Sequence, residues 1–450
     1  MQVFIAAIHP SLRGVMKLSR FVASMFTQSS TVVKGILIGL TIGTVFVMIP
    51  VSEALGLLTF LLGGILVYFM GLNNKPLSNA LIIAFIIRVG LALIDSYVFL
   101  LPESGEDTVV FEYQAWLISI SDSPASSFGT GSRLYPWLIS FLYRATDRSP
   151  LMMRAVNVVI GVVTVFLVYK TAEELWNKRT AVTASLFAAL FPTLALRSAI
   201  MLRETFVVFF IALGSLSFVK WQRKNSTGAF LESALCFFAA GLFHTVGMFF
   251  LLGQFLILGI EILSSIRKRG GILRNVFRLI ISAIIIVFVV LTGFGLDKVM
   301  FLFEAQDPEE VLLQRLSSAR GRTSFPSFLL GGSSARQFLL LPIRTAYLLF
   351  SPFVWEVRSL IDLAGFFDAL IFLVMFWVIY RERTIISQNK AAHYLLIVVL
   401  FAAVLTSLGT NNIGTALRHR GKLTPVLIVL TAYGIRNRFT LLKTRGGINN

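Results

Sequence analysis

Long apolar runs separated by short charged loops recur from residue 32 to residue 436, and this recurrence limits the fold more tightly than any other feature of the chain. A helix needs about 20 mostly apolar residues to cross the hydrocarbon core of a bilayer. Within that core every backbone N–H and C=O must be satisfied inside the segment, as an α-helix does. The runs predict spans near 32–49, 54–70, 77–100, 151–169, 180–197, 204–220, 227–242, 245–264, 275–296, 362–380, 393–409 and 421–436. The expectation is an all-α polytopic membrane protein of about 12 transmembrane helices, or 11–13 when the short runs are weighed differently. The run 338–354 is apolar too, but Pro342, Arg344 and Pro352 interrupt it. It reads as an interfacial or re-entrant helix; were it to span, the topology after it would invert. Composition agrees, since 56% of the 450 residues are hydrophobic and 14% charged, against about 25% charged in soluble domains. Mean hydropathy is +0.82.

Lys and Arg in short loops set orientation. With the N-terminus inside, the inner loops hold Lys75, then Lys170, Lys178 and Arg179, then Lys220, Arg223 and Lys224. Arg267, Lys268, Arg269 and Arg274 follow, then Arg381, Arg383 and Lys390, and finally Arg436, Arg438, Lys443 and Arg445. An even span count places both termini in the cytoplasm. Residues 1–31 carry Arg13, Lys17 and Arg20 and lead into a long run with no small-residue cleavage site, so they read as a surface-lying segment and not a cleaved signal. The net charge of +18 falls mainly in short loops, which suits anionic lipid and not nucleic acid. The single cysteine, Cys236, excludes a disulfide framework or a cysteine metal cluster. There is no internal repeat.

Two groups of charges go beyond topology. The outer side carries Arg133, Arg144, Arg148, Arg197, Arg203, Arg315, Arg320, Arg322, Arg336, Arg344, Arg358, Arg418 and Arg420, with His419 and Lys422. Guanidinium forks bind phosphate in bidentate fashion. Headgroup contact and snorkelling explain a single arginine as well, but less readily the cluster Arg418-His419-Arg420-Lys422. The loop 101–132 is the reverse, with Glu103, Glu106, Asp107, Glu112 and Asp122 and no Lys or Arg. Its carboxylates could act as a general base, hold a divalent cation such as Mg or Mn, or form a plain solvated loop. Arg88 and Asp95 share a face of one predicted helix and read as a structural pair. Arg203-Glu204 opens a span and reads equally as a site wall or a helix-end ion pair. His244 reads as a hydrogen-bonded turn residue, and without paired His or Cys no zinc site is expected.

The stretch Ser132-Arg-Leu-Tyr-Pro-Trp-Leu-Ile-Ser-Phe-Leu-Tyr143 is followed by Ser149-Pro150, Arg154, Asn157 and Gly161, then Trp176-Asn-Lys-Arg, then Ala188-Ala-Leu-Phe-Pro192. This order resembles the core of GT-C fold membrane glycosyltransferases over roughly residues 80–220. The tail, Asn411-Asn-Ile-Gly-Thr415 and Arg418-His-Arg-Gly-Lys422 after Leu349-Phe-Ser-Pro-Phe-Val-Trp355, is similar to bacterial membrane proteins of polysaccharide assembly, often polymerase-like. The resemblance implies a GT-C-like bundle with outer-face loops and amphipathic helices. Residues 1–76 then form a lead with two additional spans, where the family usually opens with one span before its acidic loop. Residues 77–296 form the core with acidic loop 101–150, 297–361 a large outer loop, and 362–450 the C-terminal spans.

The resemblance also implies an inverting transfer of sugar from a polyprenyl-(di)phosphate donor to a glycan or lipid acceptor, at the outer face of a bacterial inner membrane and in the service of the cell envelope. The family's base maps onto Asp107, through Asp107, Phe111 and Ala115, with Glu106 and Glu112 beside it. The substrate-binding candidates are Arg133, Tyr135, Arg203, Glu204, Arg344, Arg418, His419, Arg420 and Lys422. A transporter or flippase of lipid-linked sugars is the main alternative, and a non-enzymatic assembly scaffold the other. A transporter should show repeats and midplane charges, whereas these charges gather at one face.

Overall fold

The computed structural model describes residues 50–105, 107–268, 272–291, 323–330 and 334–446. The expected span 32–49, the segment 1–31, Glu106, and Arg315, Arg320 and Arg322 lie outside the described residues. Among those described there are helices and no strand, only an isolated antiparallel bridge between Ser324 and Asn412. The helices are α1 Val51–Gly71, α2 Lys75–Tyr97, α3 Asp107–Ser119, α4 Leu134–Thr146, α5 Pro150–Leu175, α6 Lys178–Leu190 and α7 Pro192–Ala199. After them come α8 Glu204–Lys224, α9 Thr227–Phe243, α10 Val246–Lys268, α11 Ile272–Leu291, α12 Ser327–Leu330, α13 Ser334–Leu339 and α14 Leu341–Phe350. The last are α15 Leu360–Arg381, α16 Arg383–Gln388, α17 Lys390–Leu408, α18 Ile413–Gly421 and α19 Thr424–Gly446.

Polar residues between the apolar runs fix where helices start. Asn74, Ser149, Asn177, Ser226, Ser359, Asn389 and Asn412 each accept a hydrogen bond from a backbone N–H in the first turn of α2, α5, α6, α9, α15, α17 and α18. This satisfies donors that a helix start leaves orphaned. Asn225 ends α8 with φ 53°, a left-handed C-cap.

Seven described helices (α1, α2, α5, α8, α10, α15 and α17) are long and apolar enough to cross a membrane. The pair α6 and α7, bent by 58°, makes an eighth if it counts as one span. The expected count of twelve is therefore not reached by length and composition among the described residues. The run 227–242 became α9, only 17 residues long, and 275–296 is helical as far as Leu291 in α11. The run 338–354 splits into pieces of which α14, at 10 residues, is the longest, so it does not span as one helix. Most of the run 421–436 lies in α19, whose Val426, Leu427, Ile428 and Leu430 are buried in the protein core, as is Leu423 just before it.

The break in 180–197 has a local cause. Pro192 has no N–H, so the carbonyl of Ala188, four residues earlier, loses its helical donor. Arg88 of α2 supplies donors there instead, reaching the oxygens of Ala188 (3.4 Å) and Ala189 (3.1 Å), Ser198 Oγ (2.9 Å) and its own Ala84 carbonyl. This corrects the expected Arg88–Asp95 pair. Seven residues of helix rise about 10 Å, too far for an ion pair. Asp95 binds Arg154 at 2.9 Å and accepts from the Leu101 N–H and the Ser104 hydroxyl. It thereby anchors the loop that follows α2. Gly161 lets α5 approach α7 closely, since a Cβ there would lie 2.4 Å from Ser198 Cβ.

The two ends of the bundle differ. At one end Lys224 meets Glu174, Lys390 meets Glu261, and Arg278 donates to Asn225. At the other end the loop after α2, the starts of α3 and α8, the end of α9 and all of α18 converge.

Candidate active site

Glu103 sits in the loop between α2 and α3 with φ 70°, a left-handed conformation that non-glycine residues seldom adopt. Its carboxylate accepts two hydrogen bonds from Arg197, at 2.9 and 3.3 Å, and lies 3.2 Å from Arg418 Nε. Asp107 opens α3 and accepts a hydrogen bond from Arg418 Nη1. Arg418 thus bridges the two carboxylates of the acidic loop. Arg197 also donates to the Leu417 carbonyl at 3.1 Å. Its guanidinium lies across Gly421, where a Cβ would be 2.1 Å from Nη1. A side chain at 421 would displace it.

On the next side of α18, Lys422 is 3.5 Å from Glu204 and donates to the Arg418 carbonyl. Arg203 donates to the Phe243 carbonyl at 3.2 Å and stands over the Phe111 ring. Arg203, Glu204, His244, Asn411, Arg418, His419 and Lys422 line one polar cavity of about 290 Å³. The His244 and His419 rings meet edge to face at 4.9 Å, and His419 Nδ1 is 2.8 Å from Thr410 Oγ1. Burial pushes Lys422 down to about 7 against the pull of Glu204, with Arg203, Arg197 and Arg418 pushing the same way. Burial would lower Arg418 too, but Glu103, Asp107 and Glu204 outweigh it and hold its guanidinium above the ordinary value.

The other expected site residues lie elsewhere. Glu112 is paired with Arg148 at 2.6 Å and accepts from the Tyr143 hydroxyl. Arg133 is exposed at the start of α4. Tyr135 is fully buried between Phe111 and Phe206, its hydroxyl accepting from Asn157 at 3.1 Å. Arg344 is buried and spent on the carbonyls of Ser407, Leu408, Thr410 and Leu329. Arg420 is buried too, bound to Asp368 at 2.6 Å and to the carbonyls of Leu349, Ser351 and Gly365. The grouping of Arg418 with Arg420 in one phosphate grip is therefore corrected. On a helix, residues two apart point to different sides, while residues four apart share one. Arg418 and Lys422 face the cavity together and Arg420 turns inward.

Glu103, Arg197 and Asp368 were not among the candidates. Glu103 and Arg197 stood in the acidic string and among the outer arginines, with nothing to single them out. Asp368 carried one signal, an acid inside an apolar run. Among the described residues no three His, Cys, Asp or Glu side chains converge as a metal site. Glu103 and Asp107 share Arg418 as their common partner.

What the arrangement offers is a polar cavity with cations on its walls, one of which, Arg418, holds the half-exposed carboxylate of Asp107. No curated protein matches the chain. Over residues 132–292, α4 through α11, the chain matches the model of the dolichyl-phosphate-mannose-protein mannosyltransferase family, and so is similar there to a family of GT-C fold membrane glycosyltransferases.

Proposed function

We propose that the protein is a membrane glycosyltransferase that moves a sugar from a polyprenyl-phosphate or -diphosphate carrier to a glycan or lipid acceptor. The carrying observation is the cavity in which Arg203, Arg418 and Lys422 converge beside Asp107 and Glu103. In this reading the acceptor hydroxyl oxygen bonds to the anomeric carbon as its proton passes to Asp107. The bond from that carbon to the phosphate oxygen breaks, and its electron pair leaves on the phosphate. A single displacement of this kind inverts the anomeric centre. Arg418 and the cationic form of Lys422 stabilise the charge that develops there. Arg418 links the two tasks, because a phosphate that draws its guanidinium away loosens its hold on Asp107.

The basic end of the bundle faces the cytoplasm in this proposal, both termini lie on that side, and the cavity faces outward from a bacterial inner membrane. The lining residues sit at helix ends, with Arg203 and Glu204 at the start of α8 and Asn411 between α17 and α18. That position favours an enzyme over a carrier with a midplane site. The test is Asp107→Asn, whose amide cannot take the proton. Lipid-linked and polymeric glycan is compared in membranes carrying equal amounts of wild type and variant. The expected loss is about 10²–10⁴-fold. A loss within about threefold would remove Asp107 from the mechanism.

A further inference from the structure

Two neighbouring wall residues of the cavity carry polar atoms that no group among the described residues satisfies. Glu204 is 6% exposed, and while its Oε1 faces Lys422, its Oε2 is buried with no hydrogen-bond partner. Arg203 spends Nη1 on the Phe243 carbonyl, but its Nε is buried with no partner either. A buried unmatched acceptor is unfavourable in an otherwise well-paired site. Here an acceptor and a donor stand side by side in sequence on the wall of one polar cavity. Glu204 also borders a second recess of about 20 Å³, lined by Val165 and Val208 together with Arg88, Arg197, Arg418 and Lys422. That recess is too small for a sugar ring.

Resting on the glycosyltransferase reading above, we infer that Glu204 and Arg203 are specificity-determining residues that read hydroxyls of the carrier-linked sugar, one donating to Glu204 Oε2 and one accepting from Arg203 Nε. The chemistry fits a sugar better than a phosphate. Phosphate oxygens have nothing to donate to a carboxylate and are repelled by it. Sugar hydroxyls supply both a donor and an acceptor. A site that leaves buried polar groups unpaired without the right hydroxyl rejects the wrong sugar strongly. Arg418 and Lys422 remain for the phosphate, so one cavity separates carrier recognition from sugar recognition.

The experiment measures binding to the purified full-length chain in lipid nanodiscs. The probes are bare polyprenyl phosphate and polyprenyl phosphates bearing mannose, glucose, galactose or arabinose. Wild type should bind at least one sugar-bearing lipid more tightly than the bare lipid. Glu204→Gln should keep its affinity for the bare lipid and lose about 10–100-fold of the sugar-dependent gain, as for a hydrogen bond to a charged group. Arg203→Lys, which keeps the charge but has no Nε in that place, should lose part of the same gain, and it tests the idea even if the Gln variant fails to fold. If both variants keep the full gain, the orphaned atoms hold only water and the inference falls while the transferase reading stands. The inference also falls if Glu204→Gln weakens both classes of lipid equally, for then the carboxylate serves the phosphate site through Lys422. A wild-type chain that binds neither class overturns the transferase reading itself.

Discussion

Arg418 and Arg420 stand two residues apart on α18 and do different work. Arg418 is partly exposed at the cavity and bridges Glu103 and Asp107, whereas Arg420 is enclosed with Asp368 and three backbone carbonyls. A lysine keeps the charge but not the planar fork. Arg418→Lys should therefore leave expression and melting temperature near wild type and reduce glycan transfer by at least tenfold. Arg420→Lys should instead lower the melting temperature and the yield in membranes, because three carbonyls on two segments lose donors. Equal melting temperatures for the two variants would contradict this division. Lys422 carries a pH signature. Burial lowers its folded value to about 7 from an ordinary 10.5, so between those limits the unfolded chain binds a proton that the folded chain does not. The contribution of this group to stability consequently rises with pH across that window and is smallest below about pH 7. Melting curves in detergent from pH 7 to pH 9 should show this rise, and Lys422→Met should flatten it. If the cation also holds phosphate, affinity for polyprenyl phosphate runs the other way and weakens above about pH 7.

The break between α6 and α7 is the element on which the site depends, because α7 carries Arg197 to Glu103 and to Gly421. Pro192 causes the break and Arg88 repairs its carbonyls. Arg88→Met should lower stability by about 1–3 kcal/mol for each carbonyl left without a donor. Pro192→Ala restores an N–H that can serve Ala188, so the double variant should lose less than the sum of the single losses. A coupling above about 0.5 kcal/mol between the two positions supports the repair, and strict additivity rejects it. At this scale much was legible in the sequence. The apolar runs near 54–70, 77–100, 151–169, 204–220, 245–264, 362–380 and 393–409 became helices of spanning length, because length and hydropathy alone decide that outcome. The proline at 192 was legible as well, but not its consequence for Arg88. Nothing local says which carbonyl a buried arginine will find 100 residues away. The site was legible only in part for the same reason. Asp107, Arg203, Glu204, Arg418 and Lys422 announce themselves as charges at the ends of apolar runs. The inward turn of Arg344 and Arg420, and the capture of Arg418 by Glu103, depend on packing between segments far apart in sequence.

At the scale of the whole molecule the question is which end of the bundle faces the cytoplasm. α19 follows Lys422 at the cavity end and has 23 residues, about 34 Å of helix. Its Tyr433 ring packs on Trp176, beside the Asn177 cap of α6 and the basic cluster of Lys178 and Arg179. The chain therefore passes from the cavity to the basic end along α19. In the proposed orientation that basic end faces the cytoplasm, as the positive-inside rule expects. The same rule leaves the arginines of the cavity end without a topological role, and their contacts with Glu103, Asp107, Glu204 and Asp368 supply one. Reporter fusions decide the matter. Asn225, at the α8–α9 turn where Arg278 donates to it, should read cytoplasmic. Ser123, in the acidic loop, and Ser324, bridged to Asn412 at the cavity end, should both read external. Ser324 is the more demanding of the two, since it follows the run 275–296 and so reports on that crossing as well. A cytoplasmic reading at Ser324 with an external one at Ser123 would split the cavity between two sides of the membrane. The packing of Asn412 against Ser324, and of Arg418 against Asp107, does not permit that arrangement.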